Sequence, residues 1–228
     1  GSSGSSDGRD STSLLCNEAM DAGIVTVVAA GNSGPNTYTI GSPAASDKAI
    51  TVGAIADVGE KGYFQTYFSS RGPTADRRIK PDVSAPGYYI MSVKSGTITG
   101  YTEMSGTSMA TPYTAGTVAL MLDANPNLST TQVKNKIMNT SVDYGVSGKD
   151  IDFGYGRIDS HEAVKSAANL SGSGISQPDH DSNQNYLSSS GDYVNYTINV
   201  DNLNYPIGIT LIILNYQEGW YGGSPDFD

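Results

Sequence analysis

The chain has 228 residues, of which 37% are hydrophobic and 16% charged, so it carries enough apolar side chains for at least one globular core. Its formal net charge of −10 at pH 7 argues against nucleic acid and anionic membrane surfaces as partners. No apolar run reaches the roughly 18 residues that a membrane-spanning helix requires. Cys16 is the only cysteine, which excludes an internal disulfide, and we expect it to be a core residue.

One helix and two buried strands are predicted in the first quarter of the chain. The helix spans 11–23 and is expected to be capped by Ser11 or Thr12. The runs at 24–30 and 49–55 are each typical of a strand buried on both faces of a parallel sheet. A helix followed by two such strands, with a turn-rich stretch between them, indicates an α/β fold built in layers.

The middle of the chain is predicted to contain a hairpin and a long apolar helix. A short strand near 89–93 and a hairpin through 95–104 lead to Ser108. The stretch 108–126 is strongly apolar and carries small residues, so we expect a central, buried helix. Two further helices are predicted, one over 128–141 and one at the end of 154–170.

Composition changes after Leu170. Residues 171–186 are rich in Ser, Gly, Asn and Asp, which is typical of a linker. Residues 187–228 then show period-two alternation and a second apolar run, which indicate strands. We therefore predict a first domain over 1–170, this linker, and the beginning of an all-β, sandwich-like module over 187–228.

Ser108 is the candidate nucleophile, because it lies where a small, hydroxyl-rich loop enters the apolar helix. Backbone N–H groups at such a helix start can donate to a developing oxyanion. The same pattern also fits an ordinary helix cap, since serine and threonine cap helices routinely. A serine also needs a base beside it, and the two histidines, His161 and His180, lie at a helix start and in the linker, where surface roles are expected.

Asn32 is the second candidate, because it directly follows the strand predicted at 24–30. Ligands of open α/β sheets gather at the carboxyl ends of the strands. A carboxamide at this position can therefore serve as a second donor to an oxyanion. The alternative is a simple turn, which Asn, Ser and Gly also favour.

Six motifs follow one another along the first 170 residues: AAGNSG at 29–34, SPAASDKAITVGA at 42–54, FSSRGP at 68–73, KPDVSAPG at 80–87, GTSMATP at 106–112 and GYGRID at 154–159. Together they resemble the subtilisin-like serine proteases, or subtilases. The resemblance implies a subtilisin-like fold, with a parallel sheet and helices on both faces. It also implies a serine endopeptidase that cleaves polypeptides by forming an acyl-enzyme at Ser108.

The resemblance also assigns roles to residues of the site. It makes Asn32 the side-chain donor of the oxyanion hole and the backbone N–H of Ser108 the second donor. Ala30 and Gly31 would border the pocket for the substrate side chain that precedes the cleaved bond. No cofactor is implied for the chemistry and no metal ligand is assigned. Many subtilases bind structural calcium, and Asp57 lies in a suggestive loop, but no ligand set can be named.

The catalytic triad is incomplete in this sequence. Its order in subtilases is Asp, His, Ser along the chain, and neither an Asp-Thr/Ser-Gly nor a His-Gly-Thr segment occurs here. We therefore expect the C-terminal part of the catalytic domain of a secreted enzyme, with the N-terminal part missing. Triad members act as a unit, so this piece by itself should be inactive.

Two other hypotheses stay open at this point. A subtilase-like chain that has lost its triad would be a binding or structural module, and an upstream segment with either triad residue replaced would favour it. A different serine acyl hydrolase, such as an esterase, predicts Gly-x-Ser-x-Gly around the nucleophile. This chain has Thr107-Ser108-Met109 instead, which disfavours the esterase.

Overall fold

The computed structural model describes residues 4–57, 63–170, Tyr193 and Asn195. The elements reported below lie in the compact unit formed by Gly1–Asp57 and Tyr63–Gly174. The predicted linker at 171–186 and the predicted β module at 187–228 fall outside the described residues, apart from Tyr193 and Asn195. Both therefore stay predictions.

The described residues form four helices and six strands. In chain order they are α1 (Ser11–Asp21), β1 (Val27–Ala29), β2 (Ile50–Ala56), β3 (Phe64–Gln65), β4 (Val83–Pro86), β5 (Ile90–Val93), β6 (Tyr101–Met104), α2 (Thr107–Ala124), α3 (Thr130–Thr140) and α4 (Ser160–Ala167).

The central sheet is built around β2. It pairs in parallel with β1 through Val27–Ile50 and with β4 through Val52–Val83, and antiparallel with β3. Helix α2 packs against β1, β2 and β4, while α4 packs against both α2 and α3. The predicted α/β architecture is confirmed, although the antiparallel β3 makes the sheet mixed rather than purely parallel.

Strands β1 and β2, which were both predicted to be buried on both faces, differ in how far their residues are buried. Every residue of β2 is buried, as expected for a strand with neighbours on both edges. In β1 only Val28 is buried, while Val27 and Ala29 are half-buried. The prediction of full burial was therefore wrong for β1, because this strand lies at the edge of the described sheet and has one strand neighbour there.

Helix α2 is buried along one face only. The buried residues recur at helical spacing on the side that packs against the sheet and α4: Thr107, Ala110, Thr114, Thr117, Val118 and Met121. Ala115, Gly116 and Ala119, the small residues expected to permit close packing, lie on the exposed side. No described heavy atom outside the helix backbone would lie within 4 Å of a Cβ built on Gly116. The prediction that these small residues permit close packing in a buried helix was thus wrong for this face.

Helix α1 begins at Ser11, as predicted, but its capping residue differs from the prediction. The cap is Asp10, whose Oδ1 accepts a 3.0 Å hydrogen bond from the Ser13 N–H, and not Ser11 or Thr12. Cys16 is half-buried rather than a core residue, since α1 fully buries only two of its side chains. Burial raises the pKa of the Cys16 thiol, and the Asp10 carboxylate adds to this.

Three lysine ammonium groups surround the buried carboxylate of Asp82, the residue directly before β4. Asp82 is 1% exposed. Its Oδ2 lies 2.6 Å from Nζ of Lys80 and 3.2 Å from Nζ of Lys134, and its Oδ1 lies 3.4 Å from Nζ of Lys149. Desolvation acts to raise the pKa of Asp82, but the three lysines together outweigh it and lower this pKa to about 2. In Lys80 burial prevails over the nearby Asp82 and lowers the pKa to about 7.

We expect Asp82 to make the folded state sensitive to acid. Its pKa falls from 3.8 to about 2 on folding, so its contribution is complete above the unfolded value and is lost as the pH drops from about 4 to about 2. Such a shift corresponds to on the order of 2 kcal/mol. In Asp82→Asn the free energy of unfolding should therefore fall less steeply over this pH range, as measured by urea denaturation followed by circular dichroism.

The matched control for this prediction is Asp21→Asn. Asp21 pairs with Lys48 at the surface, where its side chain is 61% exposed, and surface pairs contribute little. In Asp21→Asn the free energy of unfolding should fall with decreasing pH as steeply as in the parent protein. An equally steep fall in Asp82→Asn would contradict the role given to Asp82 and its three lysines.

Candidate active site

The N-terminal turn of α2 presents Ser108. It is the second residue of the helix, and its side chain is exposed. Its hydroxyl has no hydrogen-bond partner among the described residues. Its backbone N–H belongs to the first turn, where helical geometry provides no acceptor. The structure therefore leaves both an oxygen nucleophile and a backbone donor available at the same helix end.

The carboxamide of Asn32 is fixed by the residue that precedes Ser108. Asn32 lies in the loop after β1, and its Oδ1 accepts hydrogen bonds from the backbone N–H and from Oγ1 of Thr107, both at 3.0 Å. A backbone N–H can only donate, so the oxygen must face Thr107 and Nδ2 must point away. No described residue accepts a hydrogen bond from this Nδ2. The amide group is therefore held with its donors free.

The four residues singled out in the sequence meet at one cavity. It has a volume of about 370 Å³, and Ala30, Gly31, Asn32 and Ser108 all line it, together with Thr107. The loop after a strand and the start of a helix thus converge, as expected at the carboxyl end of a strand in an α/β sheet.

One wall of this cavity was not foreseen as part of the site. Residues 41–44 line it as well. In the sequence, the stretch 42–54 is recognisable only as one of the six motifs that resemble subtilases. Its Ser-Pro turn signal gave no indication of contact with a pocket, because such turns are common at any surface.

The loop that carries Asn32 is held on two sides. Gly31 has a φ of +108°, and a Cβ at this position would approach Oγ of Ser70 to 2.8 Å. The Gly31 N–H donates to Oγ1 of Thr107 at 3.2 Å, and its carbonyl accepts from the Ser70 N–H at 2.8 Å. Oγ of Ser70 also accepts from the Ser33 N–H at 3.1 Å. Ser70 of the Ser-Ser-Arg-Gly-Pro motif therefore holds the Asn32 loop in place through hydrogen bonds. The sequence alone did not indicate this role.

No general base is found at this cavity within residues 4–57 and 63–170. His161 lies in the first turn of α4 with a half-exposed side chain, and its Nδ1 is 3.4 Å from Oε1 of Glu162. It does not line the cavity. His180 falls outside the described residues. Asp10 caps α1 and is likewise absent from the cavity lining.

The described part of the chain contains no group of three or more His, Cys, Asp or Glu side chains that could hold a metal ion. Asp57 borders residues 58–62, which are not described, so a structural calcium site stays a prediction. Among the helices that the structure describes, none is long and apolar enough to cross a membrane.

Comparison with known proteins decides the family. Residues 1–156 match the model of the family described as "Subtilase family". The chain belongs to the subtilases. This confirms the resemblance drawn from the six motifs.

Individual relatives agree with this assignment. Serine protease AprX of Bacillus subtilis (strain 168) is 41% identical over 162 residues, which cover 64% of this subtilase chain and 36% of AprX. Subtilisin DY of Bacillus licheniformis is 38% identical over 146 residues, covering 61% of the chain and 49% of subtilisin DY. The solved structure of sphericase matches with a TM-score of 0.58 and 34% identity, covering 64% of this chain and 51% of sphericase. The subtilisin-like α/β fold is thereby confirmed, and the chain spans between 36% and 51% of the length of these relatives.

Proposed function

We propose that this chain supplies the nucleophile and the oxyanion hole of a serine endopeptidase that cleaves polypeptides. One observation carries the proposal: Thr107 fixes the carboxamide of Asn32, which lines the same cavity as Ser108. The similarity to AprX, which is named a serine protease, supports it.

The chemistry follows from these positions. Oγ of Ser108 attacks the carbonyl carbon of the peptide bond and gives its proton to a base, and the carbonyl oxygen becomes negatively charged. Nδ2 of Asn32 and the N–H of Ser108 donate hydrogen bonds to this oxygen as its charge develops. The C–N bond then breaks, the amine leaves with the proton, and water hydrolyses the remaining ester. We place the base on a histidine outside residues 4–57 and 63–170.

The cavity itself suits the side chain that precedes the cleaved bond. Ala30, Gly31 and the wall at 41–44 offer small side chains and backbone around an open volume of about 370 Å³. Such a lining accepts an apolar side chain without placing a charge against it. We extend the proposal to a secreted enzyme, which the acidic, polar and tyrosine-rich composition suits.

Covalent labelling tests this proposal. A fluorophosphonate reacts with serines that are activated by a base, and therefore distinguishes a protease from a binding module built on the same fold. We expect the full-length protein to gain one phosphonyl group on Ser108, located by mass spectrometry of peptides, and Ser108→Ala to gain none. Failure of the parent protein to react, under conditions where an active subtilisin does, would overturn the proposal.

Thr107 provides a further prediction, because its hydroxyl is one of two donors to Oδ1 of Asn32. Thr107→Val keeps the shape and the backbone donor but removes the hydroxyl. The hydroxyl makes two hydrogen bonds, one to Oδ1 of Asn32 and one from the Gly31 N–H. At about 1 kcal/mol for each, kcat should fall about 5–30-fold while KM changes little. Steady-state kinetics on a peptide substrate measure this effect, and Thr107→Ser should retain most of the activity. A change confined to KM would show that Thr107 does not act through Asn32.

A further inference from the structure

The wall of the cavity at 41–44 is attached to the start of helix α1. Oγ of Ser42 donates a 2.5 Å hydrogen bond to Oδ1 of Asp10. Asp10 lies in the segment before α1 and does not line the cavity. A residue outside the site is thus bonded directly to one of the residues that form it.

Asp10 has more partners than a helix cap requires. Its Oδ1 accepts from the Ser13 N–H at 3.0 Å, which is the capping bond. Its Oδ2 accepts from Oγ of Ser13 at 2.8 Å and from Oγ of Ser6 at 2.9 Å. The bond from Ser42 is a fourth, and it is the one that reaches the cavity wall. The carboxylate therefore joins the cap to the wall through a single rigid group.

The charge state of Asp10 agrees with this arrangement. The hydrogen bond from Ser42 is the largest influence on its pKa, and together with the bonds from Ser13 and Ser6 it outweighs desolvation and holds this pKa well below the usual range. The group is therefore an ionised acceptor at neutral pH. Hydrogen bonds to a charged acceptor are stronger than neutral ones.

Neighbouring contacts hold the same wall from the same side. The Ser6 N–H donates to the carbonyl of Ile40 at 2.9 Å, and Oγ of Ser46 donates to Oδ1 of Asn17 at 2.7 Å. The wall is thus attached at both ends to the segment 6–17, and Asp10 makes the attachment that falls on a cavity-lining residue. Ala44, another residue of the wall, is held separately, because its carbonyl accepts a 2.7 Å hydrogen bond from Oγ1 of Thr51. Loss of the Asp10 bond would therefore remove one support of the wall, at Ser42.

We propose that Asp10 is a positioning residue, which fixes the cavity wall through Ser42 and thereby sets how tightly large apolar substrate side chains bind. The inference rests on the proposed protease function, because it takes the cavity as the pocket for a substrate side chain. Asp10 acts through Ser42 and touches no reacting atom.

Three variants distinguish the two roles of Asp10, which are to hold the cavity wall and to cap helix α1. Asp10→Ser keeps a good capping residue, but its single short hydroxyl cannot replace both carboxylate oxygens. Ser42→Ala removes the same bond from the other end and leaves the cap intact. Ser13→Ala is the matched control, because it removes a bond to Asp10 that does not involve the wall.

Binding is measured in a Ser108→Ala background of the full-length protein, with fluorescent Gly/Ser peptides that contain one Ala, Leu or Phe. We expect Asp10→Ser and Ser42→Ala each to raise Kd for the Leu and Phe peptides about tenfold, the loss of one charge-assisted hydrogen bond. The Ala peptide should be affected less, and Ser13→Ala should leave all three unchanged. Equal Kd values in all variants, or an equal loss in Ser13→Ala, would overturn the inference.

Hydrolysis by the same variants with Ser108 present distinguishes this inference from the proposed function. In one case the parent protein cleaves through Ser108, and the Asp10 and Ser42 variants bind all peptides as the parent does. That result would support the proposed function and overturn the role of Asp10. In the opposite case the parent does not cleave peptides, but the Asp10 and Ser42 variants bind the Leu and Phe peptides more weakly than the parent does. That result would overturn the proposed function and support the role of Asp10.

Discussion

Ser108→Ala should abolish peptide cleavage, with a fall in kcat on the order of 10⁶-fold, the size established for loss of the nucleophile in subtilisin. The reason is that no acyl-enzyme can form without Oγ, and base and oxyanion donors then have no attacking atom to assist. The residual rate would reflect substrate binding and the oxyanion hole alone. The measurement is initial-rate kinetics of the full-length protein on an unstructured protein substrate.

Ser95→Ala is the control for this variant. Ser95 lies in the exposed connection between β5 and β6, and removing its hydroxyl should leave kcat unchanged. Cleavage by Ser108→Ala at the rate of the parent protein would show that another residue is the nucleophile, or that the cleavage comes from a different enzyme.

Asn32→Ala should lower kcat by about 10²–10³-fold, equivalent to about 2.7–4 kcal/mol, which is the range established for an oxyanion-hole donor in subtilisin. KM should change little, because Nδ2 interacts most strongly with charge that exists only in the transition state. Thr107 would lose the acceptor that Oδ1 provides, so a small drop in stability should accompany the loss of rate.

Asn36→Ala is the matched control for Asn32. Asn36 lies in the same loop with an exposed side chain and does not line the cavity. Its kinetics should equal those of the parent protein. A variant Asn32→Ala that raised KM and left kcat intact would mean that the carboxamide binds the substrate in its ground state and is not an oxyanion donor.

The convergence of Ser108 and Asn32 could be predicted because it depends on topology. A side chain after a parallel strand and a side chain at the start of a helix packed on that strand are brought to the same edge of the sheet. The residue types then suggest the chemistry, and the six motifs supplied the assignment to a family. Neither step required the details of packing.

The supports of the site could not be predicted in the same way. Thr107, Ser70 and Asp10 act through hydrogen bonds to residues that are at least 30 positions away in the sequence. Local propensity carries no information on such pairs, and a serine or aspartate in a loop is usually explained by a turn or a cap. Nothing in the sequence around Asp10 indicates its bond to Ser42, which lies 32 positions away.

Burial was also mispredicted for a physical reason. The runs in β1 and β2 are equally apolar, but β2 has strands on both of its edges and β1 has one in the described sheet. In α2, the small residues led us to expect close packing on one face. In the described residues that face is exposed, and the buried residues lie on the opposite face. Apolar periodicity shows which residues can be buried, whereas the neighbours of an element determine which ones are.

The most direct test of the central claim is a crystal structure of the full-length protein with a peptide boronic acid. We expect boron bonded to Oγ of Ser108 and one boronate oxygen about 2.7–3.1 Å from both Nδ2 of Asn32 and the backbone nitrogen of Ser108. A boronate attached to another residue, or an oxygen in contact with only one of these donors, would contradict the assignment of nucleophile and oxyanion hole.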